Sequence, residues 1–198
     1  MLEKVDKILA AEEAFARRVA LGVLVTAPQS VFHALIPFMF IFDFLRRGAV
    51  IRRYTGFFMF PRKLAVRAAL DIIEGDKKAR RLSHIEPEIE TWLNTLKLYS
   101  SGVHRKQMEI VELLVENYLK LLEADGETYH ALMKTAYDNR QNYEAYLRRL
   151  ASVEEELDKA IIETLGDTEK LRQKIEAERE QVKRLSDKLV DEIFQQRM

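Results

Sequence analysis

The chain has 198 residues, 47% of them hydrophobic and 32% charged, with only 7 glycines and 4 prolines; it is too apolar for a disordered chain and too poor in breakers for a β fold, which needs a turn about every ten residues. With no cysteine, disulfides, thiolate catalysis and thiolate-bound zinc are excluded. The zero net charge conceals blocks: residues 46–81 carry 11 Lys/Arg against 3 Asp/Glu and residues 82–198 carry 17 against 24, so a basic segment suited to lipid or nucleic-acid phosphate precedes an acidic remainder.

Residues 2–18 read as an amphipathic helix, with Leu2, Val5, Ile8, Leu9 and Phe15 on or near one face. Glu3, Asp6, Glu12 and Glu13 have the wrong sign for a signal-peptide n-region. From Val19 to Phe42 no side chain is charged, a run of 24 residues. A helix of that length could cross a hydrocarbon core of about 30 Å. Pro28 disfavours one span, because it lacks an amide donor and biases Ala27 away from helical geometry. Two shorter apolar helices, 16–26 and 29–45, are predicted instead. Arg17-Arg18 precede the run, and Arg46-Arg47 and Arg52-Arg53 follow it. A single span would strand one arginine pair on the far side of the bilayer, whereas a re-entrant hairpin or an in-plane helix satisfies both flanks.

Residues 48–61 contain Gly48, Gly56 and Pro61 among Tyr54, Phe57, Phe58, Met59 and Phe60, and read as a loop or short element. Pro61 suits the first turn of a helix over 62–74, with Gly75 as its stop. Residues 76–84 read as a basic connector. Pro87 is expected to start a short helix ending near Tyr99, and a further helix covers 103–124 before Asp125-Gly126.

The longest pattern comes next. Tyr129, Leu132, Ala136, Tyr143, Tyr146, Leu150, Val153, Leu157 and Ala160 follow a 4-3 repeat, interrupted at core spacing by Asn139. It predicts one helix over 127–165, about 58 Å long. Gly166-Asp167 supplies a stop and an N-cap. The repeat resumes at Leu171, Ile175, Val182, Leu185, Leu189 and Ile193, interrupted by Glu178. So short a break implies an antiparallel hairpin.

The expected architecture is all-α: a helical bundle with a hydrophobic N-terminal helical hairpin and a long C-terminal antiparallel coiled-coil hairpin. Three segments follow: a hydrophobic, arginine-flanked membrane-association or core segment over 1–61, short helices over 62–126, and the coiled-coil hairpin over 127–198.

Chemistry-bearing motifs are few. Glu127-x-x-His130 places a carboxylate and an imidazole on one helix face, but a carboxylate-bridged di-iron site needs two such motifs and two further glutamates. Glu127 and His130 are thus a weak metal candidate, and neither a metal nor another cofactor is implied. His33, within the apolar run, suits a hydrogen bond to a carbonyl freed by Pro37, and Asp43 suits an arginine partner. Glu154-Glu155-Glu156 and Glu176, Glu178, Arg179 and Glu180 read as solvated faces, and the tyrosines of 129–146 as a possible interaction surface.

Arg46, Arg47, Arg52 and Arg53 beside Tyr54, Phe57 and Phe58 combine cations for lipid phosphate with aromatics for the headgroup layer. The same mixture could stack on single-stranded nucleic acid, but that reading gives no reason for the adjacent charge-free run and ranks last. The leading expectation is a non-catalytic anchor or scaffold on the cytoplasmic face of a membrane, with lipid as one partner and a protein or a second copy engaged through the coiled coil. The alternatives are a cytoplasmic homo-oligomeric bundle with the apolar segments at its centre, and a metal-dependent helical enzyme.

Overall fold

A computed structural model describes residues 1–26 and 39–195, with side chains described for 1–23 and 48–195. Among the described residues every regular element is a helix: α1 Leu2–Thr26, α2 Met39–Ile73, α3 Lys78–Thr95, α4 Ser101–Glu123, α5 Tyr129–Tyr137, α6 Arg140–Leu165 and α7 Glu169–Phe194. The protein is all-α.

The fold is organised around α4. Val103, Ile110, Val111, Leu114, Tyr118, Leu121 and Leu122 repeat at three- and four-residue spacing and are all buried, and α2, α3, α5 and α6 pack around them. The helix begins at Ser100, whose side chain accepts from the Val103 amide, satisfying one of the first-turn donors. At the other end Lys4 of α1 donates from Nζ to the carbonyls of Leu122 and Ala124, at 3.0 and 2.6 Å. A cation there offsets the negative end of the helix dipole and occupies carbonyls that have no intrahelical donor.

α1 and α2 form an antiparallel pair. Phe15 meets Phe58 with ring centroids 6.0 Å apart, and Glu12 meets Arg62 one turn deeper. α2 is longer than expected, because residues 48–61 are not a loop: the helix runs through Gly48, Gly56 and Pro61 to Ile73. The donor missing at Pro61 would have served the carbonyl of Phe57, on the exposed side of α2. Phe58, Met59 and Phe60 meanwhile pack inward, and Phe60 stacks on Trp92 of α3 with centroids 5.1 Å apart. That burial outweighs the local breakers. α2 therefore passes through the boundary drawn between 61 and 62. Gly75 does end the segment, at a φ of +109° that L-residues rarely adopt.

The basic connector is also helical. α3 starts at Lys78 and carries Pro87 inside it. Its first turns are tied down by Lys78 to Glu112 and Glu116 and by Arg81 to Asp71 and Asp76. Ile85, Ile89 and Leu93 are its buried stripe.

The single helix expected over 127–165 is two. Asp138 has a φ of +58°, and Asn139 is extended, with its side chain accepting from the Asn142 amide at 3.0 Å. The polar interruption in the repeat is thus an N-cap. The break turns Tyr137 onto Tyr143 and Tyr146, with centroids 5.0 and 5.7 Å away, and Tyr143 reaches Phe194 of α7. These tyrosines make an internal aromatic cluster.

α6 and α7 run in opposite directions, since Arg140 pairs with Asp191 at one end and Arg179 with Asp158 near the other. Gly166 turns the chain at φ +88°. Thr168, rather than Asp167, caps α7 by accepting from the Leu171 amide, and Asp167 pairs with Arg172. One hydrophobic core joins Ile8 of α1 to Val190 and Ile193 of α7, so all three expected segments share it.

Candidate functional site

The α1–α2 arm carries most of the residues singled out in the sequence. Its antiparallel pairing brings Arg17-Arg18 of α1 and Arg52-Arg53 of α2 to the same end, and all four are exposed. Leu21, Val50 and Phe57 are exposed beside them, at 50%, 43% and 42%. Arg17 is bonded to Glu13 at 2.5 Å. The helices lead from this end into the charge-free run. Arg46 and Arg47 stand on α2, but their side chains, with that of Asp43, lie outside the described residues, as does His33.

The aromatics of the basic block divide. Phe57 faces outward. Tyr54 and Phe58 take inward partners: the Tyr54 hydroxyl donates to Glu178 Oε1 of α7 at 2.7 Å, and Phe58 lies between Phe15 and the Arg62 guanidinium, whose central carbon is 3.4 Å from the ring centroid. Each belongs to a polar cluster that sequence reasoning missed.

Arg62 is the centre of that cluster. It is buried, yet its Nε donates to Glu12 Oε2 at 3.0 Å and a terminal nitrogen to the Phe58 carbonyl at 3.2 Å. Tyr118 donates to the other oxygen of Glu12 at 3.0 Å. Burial opposes the Arg62 charge, but Glu12, Tyr118 and Glu154 more than offset it and raise its pKa. On the far side stand Glu154 and Asp158 of α6 and Glu178 of α7. Burial pushes the Glu154 carboxyl up from an ordinary 4.5 to about 7, with Arg62 working against the shift. Burial likewise raises Asp158 to about 6 against the pull of Arg179, and raises Glu178 against the Tyr54 bond and Arg62. Glu178, read as solvated, thus accepts a hydrogen bond from Tyr54 across the seam, and Glu154, also read as solvated, is half-buried. One signal was available: Glu178 interrupts the α7 repeat at core spacing.

No protein-family model, curated protein or solved structure matches this chain. Glu127 and His130 are exposed around the start of α5. Among the described residues no three His, Asp or Glu side chains are grouped so as to hold a metal ion, and no helix is long and apolar enough to cross a membrane. The arm end offers exposed cations beside exposed apolar side chains. That chemistry suits contact with a surface bearing both phosphate and hydrocarbon.

Proposed function

We propose that this chain is a non-catalytic membrane-surface anchor and scaffold, acting at the cytoplasmic face of a bilayer. The α1–α2 arm seats its arginine end among anionic headgroups, the charge-free run enters the interfacial layer, and the helices from α3 onward stand clear to engage partners. The observation that supports this is the convergence of Arg17, Arg18, Arg52 and Arg53, from segments more than thirty residues apart, on the end of the arm that leads into the uncharged run. Each cation near an anionic surface contributes about 1 kcal/mol, and the exposed Leu21, Val50 and Phe57 add apolar burial that salt does not screen.

The test is flotation of the full chain with phosphatidylglycerol-containing and pure phosphatidylcholine vesicles. Strong binding to the anionic vesicles is expected, with a large loss when Arg52 and Arg53 are reversed to Glu and a further loss when Arg17 and Arg18 are added. Equal binding to both lipids, or no loss in the reversed chains, overturns the lipid role of these arginines. A detergent-free particle of several copies that ignores vesicles supports the rival reading, in which the apolar run lies at the centre of a homo-oligomer.

A further inference from the structure

α2 carries its free charge on one side. From Phe44 to Leu70 it has seven lysines and arginines and no acidic residue. Arg62 turns inward and is neutralised by Glu12. Arg52, Arg53, Lys63 and Arg67 are exposed, and none of them has an acidic partner among the described residues. Exposed cations on other helices are often paired, as Arg140 is with Glu144 and Arg172 with Asp167.

The helical period sets three of these cations in line. Lys63 follows Arg52 by eleven residues and Arg67 follows it by fifteen, close to three and four full turns, so all three lie within about 60° of one another around α2. The opposite side of the helix is interior, with Thr55, Met59, Val66 and Ala69 buried. Gly56 falls on the same line as the cations, and a side chain there would meet nothing within 4 Å. The result is a straight basic ridge from Arg52 to Arg67, about 22 Å long at 1.5 Å per residue, with the exposed Phe57 on its flank. The neighbouring α3 exposes Glu86, Glu88 and Glu90, so the ridge is one helix wide and runs along the arm, not across it.

A bilayer that met only the tip of the arm would leave half of this ridge idle. An anionic surface acts on a cation within a Debye length, about 8 Å at physiological salt. With α2 upright, Lys63 and Arg67 would stand about 16 and 22 Å beyond Arg52. With α2 lying along the surface, all four cations reach headgroup phosphate, Phe57 enters the layer beside them, and repulsion rolls the carboxylates of α3 away from the membrane.

We propose that the arm lies along an anionic bilayer on the outer ridge of α2, and that Lys63 and Arg67 contact lipid phosphate as Arg52 and Arg53 do. This rests on the membrane-anchoring reading and adds the orientation in which the anchor is seated.

Two measurements on the full chain test it. Lys63→Gln with Arg67→Gln should weaken partitioning onto phosphatidylglycerol-containing vesicles on the order of thirtyfold, the factor that two cations at headgroup level contribute. Lys134→Gln with Lys183→Gln removes the same charge from exposed sites on α5 and α7 and should change binding by less than about twofold. The chain has no cysteine, so a spin label at Arg67→Cys is unique. At saturating vesicles it should be relaxed strongly by nickel chelated to lipid headgroups. If the parent binds anionic vesicles but the label at 67 ignores the nickel lipid, or if the two glutamine pairs weaken binding equally, the ridge orientation is overturned while the anchoring reading survives. A parent that ignores anionic vesicles overturns both.

Discussion

Arg62 on α2 donates from Nε to Glu12 on α1 at 3.0 Å in the interior of the bundle, so a cation from the basic block is neutralised fifty residues back along the chain. Their side chains are only 10% and 13% exposed. A pair this dry is costly to break, because the survivor is left charged and unpaired. Glu12→Ala is expected to destabilise the protein by about 3–5 kcal/mol, read as a fall in the urea midpoint at unchanged slope. Replacing both partners together, Glu12→Leu with Arg62→Met, should recover most of that loss. A single and a double variant of equal stability would show that the pair is uncoupled.

Stability should fall as pH rises through neutrality. The Glu154 pKa is raised from 4.5 to about 7 in the folded chain and that of Asp158 from 3.8 to about 6. Below the ordinary values both states hold these protons and nothing is lost. Above them the unfolded chain releases protons that the folded chain retains, so folding is progressively disfavoured until the raised pKa is passed. The denaturation midpoint is therefore expected to decline between about pH 4 and pH 7 and to level off above that. Glu154→Gln should be more stable than the parent at pH 8, by about 1–3 kcal/mol, and should converge with it near pH 4.5. A parent midpoint that climbs over this interval would contradict the assignment.

The turn at Gly166 and the opposed ion pairs of α6 and α7 predict cross-links within one chain. Cysteine pairs at 157 and 175, or at 150 and 182, should form disulfides in the monomeric fraction on mild oxidation. Linkage found only between chains would mean that the two helices continue as one rod. The two leucines should differ in cost. Leu150 is buried at 8% and its truncation to alanine should cost about 2–5 kcal/mol, whereas Leu157, only partly buried, should cost about half as much.

Asn139 carries the junction between α5 and α6. Its side chain accepts from the Asn142 amide, while the Asn142 side chain donates back to the Tyr137 carbonyl at 3.1 Å. Asn139→Ala should cost about 1 kcal/mol. Asp138→Gly should be neutral or stabilising, since glycine meets a φ of +58° without steric penalty. Thermal unfolding of the two variants separates these effects. A stabilised Asn139→Ala chain would mean that one continuous helix is preferred.

By itself the sequence determined the all-α class, the turns at Gly75 and Gly166, the opposed repeats of the last two long helices, and the arginines that bracket the uncharged run. These features are local. A 3.6-residue period, a backbone that needs positive φ and a run without charge are all visible within a window of neighbours. Tertiary structure alone decided the rest. Whether Gly48, Gly56, Pro61 and Pro87 break a helix depends on what their neighbours bury, and Met59, Phe60 and Ile85 bury enough to carry α2 and α3 through. Asn139 could be a polar core position or a cap, and the packing of Tyr137 on Tyr143 chose the cap. The interior cluster of Glu12, Arg62 and Tyr118 draws one residue from each of three helices. No periodicity within one segment encodes such a meeting, because the free energy of a buried charge depends on partners that only the packed chain brings within a few ångströms.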